Sequence, residues 1–273
     1  MRRREFISLL GGGAVAWPRA AWSQGAQKMR RVSVLIGLAE NDPLAKARLK
    51  AFRLGMRDLG WIEGRNVEIE YRFTGINAKS INQHIAEVIR QAPDVILANT
   101  TPVMAALRPA TTSILVVFVV VNNPVGQGFI PNLSHPGSNV TGFSFIEPEI
   151  VGKWVVLLGD VKSDLSRITF MFNPDTASYY EGYVRSFKAS PQQASVELTA
   201  ARVRTTAEAE LAIAGLTPSA GLIVAADPYI IRIRQTILQA AAQHRVPVIS
   251  PYRQFVEEGS LMSYGPDTTE IFR

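Results

Sequence analysis

Three histidines and no cysteine make up the usual nucleophile and metal-ligand repertoire of this 273-residue sequence. His84 follows a helix start, His135 sits in a Pro-Gly turn, and His244 ends a helix, where a cation suits the dipole. Dispersed in this way they read as surface or capping residues, and no metal site is expected. The absence of Cys excludes disulfides, thiolate metal sites and cysteine nucleophiles. No G-x-x-x-x-G-K-[ST] loop is present, and Gly126-Gln127-Gly128 meets Pro131 where a third phosphate-loop glycine belongs. Gly142-Phe143-Ser144-Phe145-Ile146 opens like a nucleophile elbow and lacks its closing glycine. No catalytic centre and no cofactor are therefore expected.

The chemistry that remains is hydrogen bonding by Asn, Thr, Asp and Tyr in turns that follow apolar strands. The candidates are Asn99, Thr100 and Thr101, then Asn122, Asn173, Asp227, Tyr229 and Tyr252. Ligands of open α/β sheets sit outside the carboxyl ends of the strands, and such groups suit a small polar molecule. Asn99-Thr100-Thr101 precedes a helix whose free N–H groups would hold a carboxylate, unless Thr100 or Thr101 simply caps it. Asp227 would take an ammonium, or else cap the helix opened by Pro228. Tyr229, Tyr252, Tyr179 and Tyr180 could wall a pocket; Asn122 and Asn173 are turn residues first and ligand contacts second.

The elements that must position these groups are legible in the periodicity. Val32 to Leu38, Val67 to Tyr71, Asp94 to Ala98 and Ile114 to Val121 read as strands, all but the second continuous enough to be buried on both faces. Ala45, Leu49, Phe52, Met56 and Leu59 form one apolar stripe on a helix capped by Asp42 with Pro43 at its first position. Ser80 to Gln83 has the spacing of a capping box for the next helix. Further strands are expected at Arg167 to Phe172, Val196 to Arg202, Gly221 to Ala225, Val246 to Ile249 and Leu261 to Tyr264. Helices are expected near Glu149 to Gly159, Ala177 to Ala189, Thr206 to Leu216 and Tyr229 to His244. Strand and helix alternating every roughly 25 to 35 residues predicts βαβ units and a parallel sheet. Asp94 to Pro102 and Gly221 to Pro228 share one grammar: apolar strand, polar turn, Pro opening a helix. That suggests two related halves, with Asn139 to Ser144 as the crossover between them.

The composition, 47% hydrophobic and 19% charged, is that of a folded domain. The formal charge of +6 invites a nucleic-acid reading, but half of it sits in residues 1–23, where Arg2, Arg3, Arg4 and Arg19 face Glu5 alone. That segment, with its short apolar run from Phe6 to Pro18 and Ala21-Trp22-Ser23, reads as an export signal cleaved near Ser23/Gln24. Arg3-Arg4-Glu5-Phe6-Ile7 has twin-arginine order. The rest has no stretch of Lys and Arg interleaved with aromatics, so no nucleic-acid partner is expected and the mature form is expected not to be membrane-embedded.

Several segments together resemble the ABC-transporter substrate-binding proteins of the tryptophan/tyrosine-binding type, which have the type I periplasmic binding protein fold. They are Arg2 to Gly12, Phe52 to Val67 (FRLGMRDLGWIEGRNV), Asn123-Pro124-Val125-Gly126, His135 to Gly142 (HPGSNVTG), Asn173-Pro174, and Leu261 to Pro266 (LMSYGP). The resemblance covers essentially the whole chain in order. It implies an α/β protein of two doubly wound parallel-sheet lobes joined by a hinge: lobe 1 over 24–145, lobe 2 over 146–265, and the start of a crossover back to lobe 1 over 266–273. It further implies a periplasmic protein that closes over a small molecule, amino-acid-like or an aromatic acid, and delivers it to a membrane permease. A sensor domain signalling to a membrane partner would use the same cleft, and an exported enzyme working with carboxylates is the remaining alternative. Two positions depart from the pattern: Asn123 stands where similar sequences often have Asp, and Leu115 where a Pro usually opens a strand, an edge effect at most. Asp267 reads as the cap of a helix that stops at Arg273, so roughly 50 more residues, closing lobe 1, are implied by the resemblance; a lone turn is costly to nucleate.

Overall fold

The computed structural model describes residues 29–191 and 195–273. The export segment and its cleavage point lie outside the described residues. Among the described residues ten strands form two all-parallel sheets, one in each half of the chain. The first contains β1 (Arg30–Ile36), β2 (Val67–Phe73), β3 (Val95–Asn99), β4 (Leu115–Val121) and β5 (Val140–Ser144), in spatial order β2-β1-β3-β4-β5. The second contains β6 (Arg167–Phe172), β7 (Glu197–Arg202), β8 (Ala220–Val224), β9 (Val248–Ser250) and β10 (Met262–Ser263), in order β7-β6-β8-β9-β10 read from the same side. Counting each sheet from its own first strand, both follow 2-1-3-4-5. The two halves are one topology used twice, and the shared grammar of residues 94–102 and 221–228 belongs to the third strand of each.

Helices supply the crossovers. In the first lobe these are α1 (Pro43–Asp58), α2 (Ala78–Gln91) and α3 (Thr101–Leu107). The second lobe has α4 (Ile150–Val161), α5 (Tyr180–Lys188), α6 (Thr206–Ala214), α7 (Pro228–Arg232), α8 (Arg234–His244) and α9 (Arg253–Glu257), and α10 (Thr268–Phe272) follows β10. Asp42 caps α1 as expected, its Oδ1 accepting the Leu44 N–H at 2.8 Å. The stripe Ala45, Leu49 and Phe52 lies buried on Val34 and Ile36, while Leu35 points to the opposite face, against Ile81, Ile85 and Val88 of α2. The α1 face of the first sheet and the core of the second lobe form one continuous apolar cluster. Phe145, Tyr252 and Phe272 join it where the chain passes between lobes.

Five sequence expectations need correction. Residues 139–144 are not a bare crossover: Val140–Ser144 pairs in parallel with β4 and completes the first sheet at its edge. β4 is accordingly interior, so Leu115, 56% exposed, opens an inner strand. Ser80 to Gln83 is not a capping box, because Asn77 caps α2 through its Oδ1, and Ser80 Oγ donates to the Thr74 carbonyl at 2.9 Å. The helix expected over Tyr229 to His244 is broken at Ile233 into α7 and α8. The short α10 is no lone turn. Phe272 is buried, the Arg273 carbonyl lies so close to Gly55 that a Cβ there would be 2.2 Å from it, and Arg273 pairs with Asp58 at 3.3 Å. Tertiary contact with α1 replaces the missing helical cooperativity.

Candidate functional site

In a 2-1-3-4-5 sheet the strand order reverses between the first and third strands, and a crevice opens outside their carboxyl ends. The chain brings its sequence-predicted polar residues to that place in both lobes. In the first, Asn99 and Thr100 end β3 beside Gly37, which follows β1. A Cβ at Gly37 would lie 2.2 Å from Thr100 Oγ1, so only glycine admits the Thr100 side chain here. Gly37→Ala is expected to displace Thr100 and cost about 1–3 kcal/mol, the usual range for overpacking, read from the urea midpoint at unchanged slope.

Backbone strain gathers at the same edge. Thr100 has φ 80° and Val120, at the bulge of β4, has φ 56°; both are β-branched. Left-handed backbone at such residues costs on the order of 1–3 kcal/mol and persists where surrounding structure over-determines it. Neither Thr100 nor Thr101 caps α3. Thr100 makes no side-chain cap bond, and Thr101 Oγ1 instead accepts the Asn122 N–H at 3.1 Å and its Nδ2–H at 3.4 Å. Asn122, thus fixed, donates from Nδ2 to the Ala226 carbonyl of the second lobe at 2.9 Å. Gln127 donates to the Asn122 carbonyl at 2.6 Å and accepts from Ser178 of the second lobe. Asn123, with φ 45°, spends its Oδ1 on the Gly126 N–H at 3.0 Å and holds the turn; it carries no charge role.

In the second lobe Asp227 is fully buried and organises the corresponding crevice. Its carboxylate accepts from Asn173 N at 2.9 Å, Thr176 Oγ1 at 2.7 Å and Tyr229 N at 2.7 Å. It therefore caps α7 and ties the turn after β6 to the turn after β8. Burial pushes its carboxyl up to about 6 against the pull of these three donors. Asn173 serves the same joint with its backbone N–H, and its Oδ1 accepts the Asp175 N–H at 2.8 Å. Tyr229 packs under the Arg232 guanidinium, 5.1 Å from its ring centroid. Tyr180 is stacked on Phe172 at 4.0 Å and belongs to the core. Tyr179 differs: it is buried, its hydroxyl lacks a hydrogen-bond partner, and burial followed by the Asp227 charge raises its pKa well above the phenol value. Burial likewise pushes Tyr252 up to about 12, opposed by the nearby Arg48, so it stays a neutral donor.

Four buried polar atoms are left over at these strand ends: Asn99 Oδ1, Thr100 Oγ1 and Asn122 Oδ1 in the first lobe and Tyr179 Oη in the second. Buried polar atoms are normally paired, so these four call for a partner. Between the lobes a recess of about 670 Å³ opens, lined by Pro43, Leu44 and Ala47 on one side and Tyr252, Arg253 and Gln254 on the other. The lobes are pinned by Arg234 of α8, whose Nε bonds Glu258 at 2.8 Å while its Nη1 reaches Asp42, the α1 cap, at 3.2 Å.

Sequence reasoning missed Arg48, Gln127 and Arg234. Arg48 alone had a signal: it is three residues after Ala45 and four before Phe52, on the apolar face of α1. The histidines are not drawn together; His135 and His244 are exposed. Among the described residues no cluster of His, Asp or Glu could hold a metal, and no helix is long and apolar enough to cross a membrane.

Comparison with known proteins agrees with this geometry. A tyrosine-binding protein from Clostridioides difficile is 24% identical over 235 residues, spanning 86% of this chain and 67% of that protein. A crystal structure of a conserved domain protein from Vibrio cholerae superposes with TM-score 0.81 at 26% identity, covering 90% of this chain and 81% of that one. An ABC domain from Streptococcus pneumoniae in complex with L-Trp gives TM-score 0.79 at 19% identity over the same shares, a likeness of fold. The family model for ABC transporter substrate binding proteins matches residues 32–272, nearly the whole described chain, and the protein belongs to that family.

Proposed function

We propose that the chain is an exported solute-binding protein that captures one small polar molecule between its lobes and presents it to a membrane permease. The observation that carries the proposal is the set of four buried, unpaired polar atoms at the carboxyl ends of the strands, beside the point where Asn122 bridges the lobes. Asn99, Thr100, Thr101 and Asn122 supply the first-lobe surface, and Asn173, Asp227, Tyr229 and Tyr252 the second, hinged near residues 145 and 265. Asp227 serves mainly by holding its crevice in shape, since three of its acceptor positions are taken. Similarity to a tyrosine-binding protein, and to a fold seen with L-Trp, favours an amino-acid-like or aromatic acid ligand.

Calorimetric titration with L-tyrosine, L-tryptophan, benzoate and their neutral analogues tests this reading. One equivalent should bind and be recovered chemically unchanged, and the bound form should stimulate ATP hydrolysis by a reconstituted permease complex. Turnover of the ligand, or no binding across the panel, would sink it.

A further inference from the structure

We infer that Arg48 is the cation that receives the carboxylate of the captured molecule, an assignment that rests on the capture reading above and fixes its ligand as an acid. Arg48 lies on α1 with no solvent exposure; its Nε, Nη1 and Nη2 meet no carboxylate or carbonyl at hydrogen-bonding geometry, and the Tyr252 hydroxyl is the polar group beside them. Its surroundings are aromatic: the Cζ atom is 5.9 Å from the Tyr252 ring centroid and 5.8 Å from that of Phe272. Asp42 is close enough to act on it electrostatically, but the carboxylate of Asp42 is spent on Leu44 N–H and on Arg234. Burial lowers the Arg48 pKa, yet a guanidinium stays charged at neutral pH. A cation removed from water with five donors, one phenol beside it and no bonded carboxylate is costly for a fold to hold, and a carboxylate matches its planar fork bidentately.

The surroundings fit a ligand better than a structural partner. Tyr252 is shared: one side meets Arg48, and the residue also lines the 670 Å³ recess between the lobes. Its neutral phenol can donate to the same anion. The other place expected to hold a carboxylate, the start of α3, has only seven residues and places Pro102, which lacks an N–H, in its first turn. An acid entering the recess meets Tyr252 first, with Arg48 packed behind its ring, while the unpaired Thr100, Asn122 and Tyr179 groups lie outside that lining.

Thermal unfolding and calorimetry of the full chain test the assignment, using L-tyrosine, L-tryptophan and benzoate, each beside its amide. The wild-type protein should bind at least one acid about 100-fold more tightly than its amide. Arg48→Met should leave the ligand-free unfolding midpoint equal or higher, because it removes an unpaired buried charge, and should reduce the acid-to-amide ratio to below about tenfold. Arg48→Lys should restore part of that ratio. A fall of several degrees in the ligand-free midpoint of Arg48→Met would make the guanidinium a structural group held by its aromatic neighbours and overturn the assignment. Equal binding of acid and amide by the wild type would overturn it and leave the capture reading standing. An equal response to inorganic phosphate alone would also overturn it, as a general anion site. No binding by any of the six compounds would remove both.

Discussion

Replacing Asp227 by Ala is expected to destabilise the protein by about 4 kcal/mol near pH 4 and by about 1 kcal/mol near pH 7.5. Three buried donors, from Asn173, Thr176 and Tyr229, converge on this carboxyl, and each left unpaired costs about 1–3 kcal/mol. The pH dependence follows from its pKa, raised from 3.8 to about 6 by burial. The native state therefore binds this proton more tightly than the unfolded chain does. The resulting stabilisation is complete below the unfolded value and disappears as pH rises through about 6. Two units correspond to about 3 kcal/mol, a large share of the 5–15 kcal/mol that usually separates folded from unfolded chains. Urea unfolding of both proteins from pH 4 to 7.5 isolates the effect, since other titrating groups cancel in the difference. A pH-independent difference would show that the carboxyl titrates normally.

Gly182→Leu should abolish ligand capture while leaving each lobe folded. Gly182 lies on α5 of the second lobe, buried against the turn after β4 in the first, where a Cβ would stand 2.8 Å from Asn123 Nδ2. A Cβ alone could be accommodated by a small shift of Asn123. The branched end of Leu cannot, because Pro148 stands 3.5 Å from the same Cβ position and Asn123 is held by the Gly126 N–H. The contacts between the lobes, Asn122–Ala226 and Gln127–Ser178, are then lost. A ligand gripped by one lobe keeps only that lobe's contacts, and each 1.4 kcal/mol forfeited is tenfold in affinity. Affinity should fall by a factor of about 1,000 or more, with a larger radius of gyration in small-angle scattering and an unfolding midpoint within a few degrees of wild type. Wild-type affinity in a folded Gly182→Leu protein would refute the role of this contact.

Much of the fold could be read from residue order alone. Continuous apolar runs such as the one within Asp94 to Ala98 declared strands buried on both faces, and Asp42-Pro43 declared the start of α1, because backbone chemistry is local. Val140 to Ser144 escaped, since two of its five residues are exposed at a sheet edge and Gly142 interrupts the pattern. The proposed site residues were picked for a topological reason: polar turns after strands face the crevice. Their individual roles were not legible. Thr101 looked like a cap and is an acceptor for Asn122, 21 residues away, a partner that no local rule supplies. Arg48 was passed over because its face was read from its apolar neighbours, although it lies buried among them.

The contact of α10 with α1 has a kinetic consequence. Arg273 pairs with Asp58 across 215 positions, so forming it closes most of the chain into a loop. Each parallel sheet, by contrast, is assembled from neighbouring segments of its own half, and the described strands of the first all precede those of the second. A chain emerging from its N-terminus can order lobe by lobe, with α10 docking on α1 after both sheets. The Phe272 side chain then meets Arg48 only after both sheets exist.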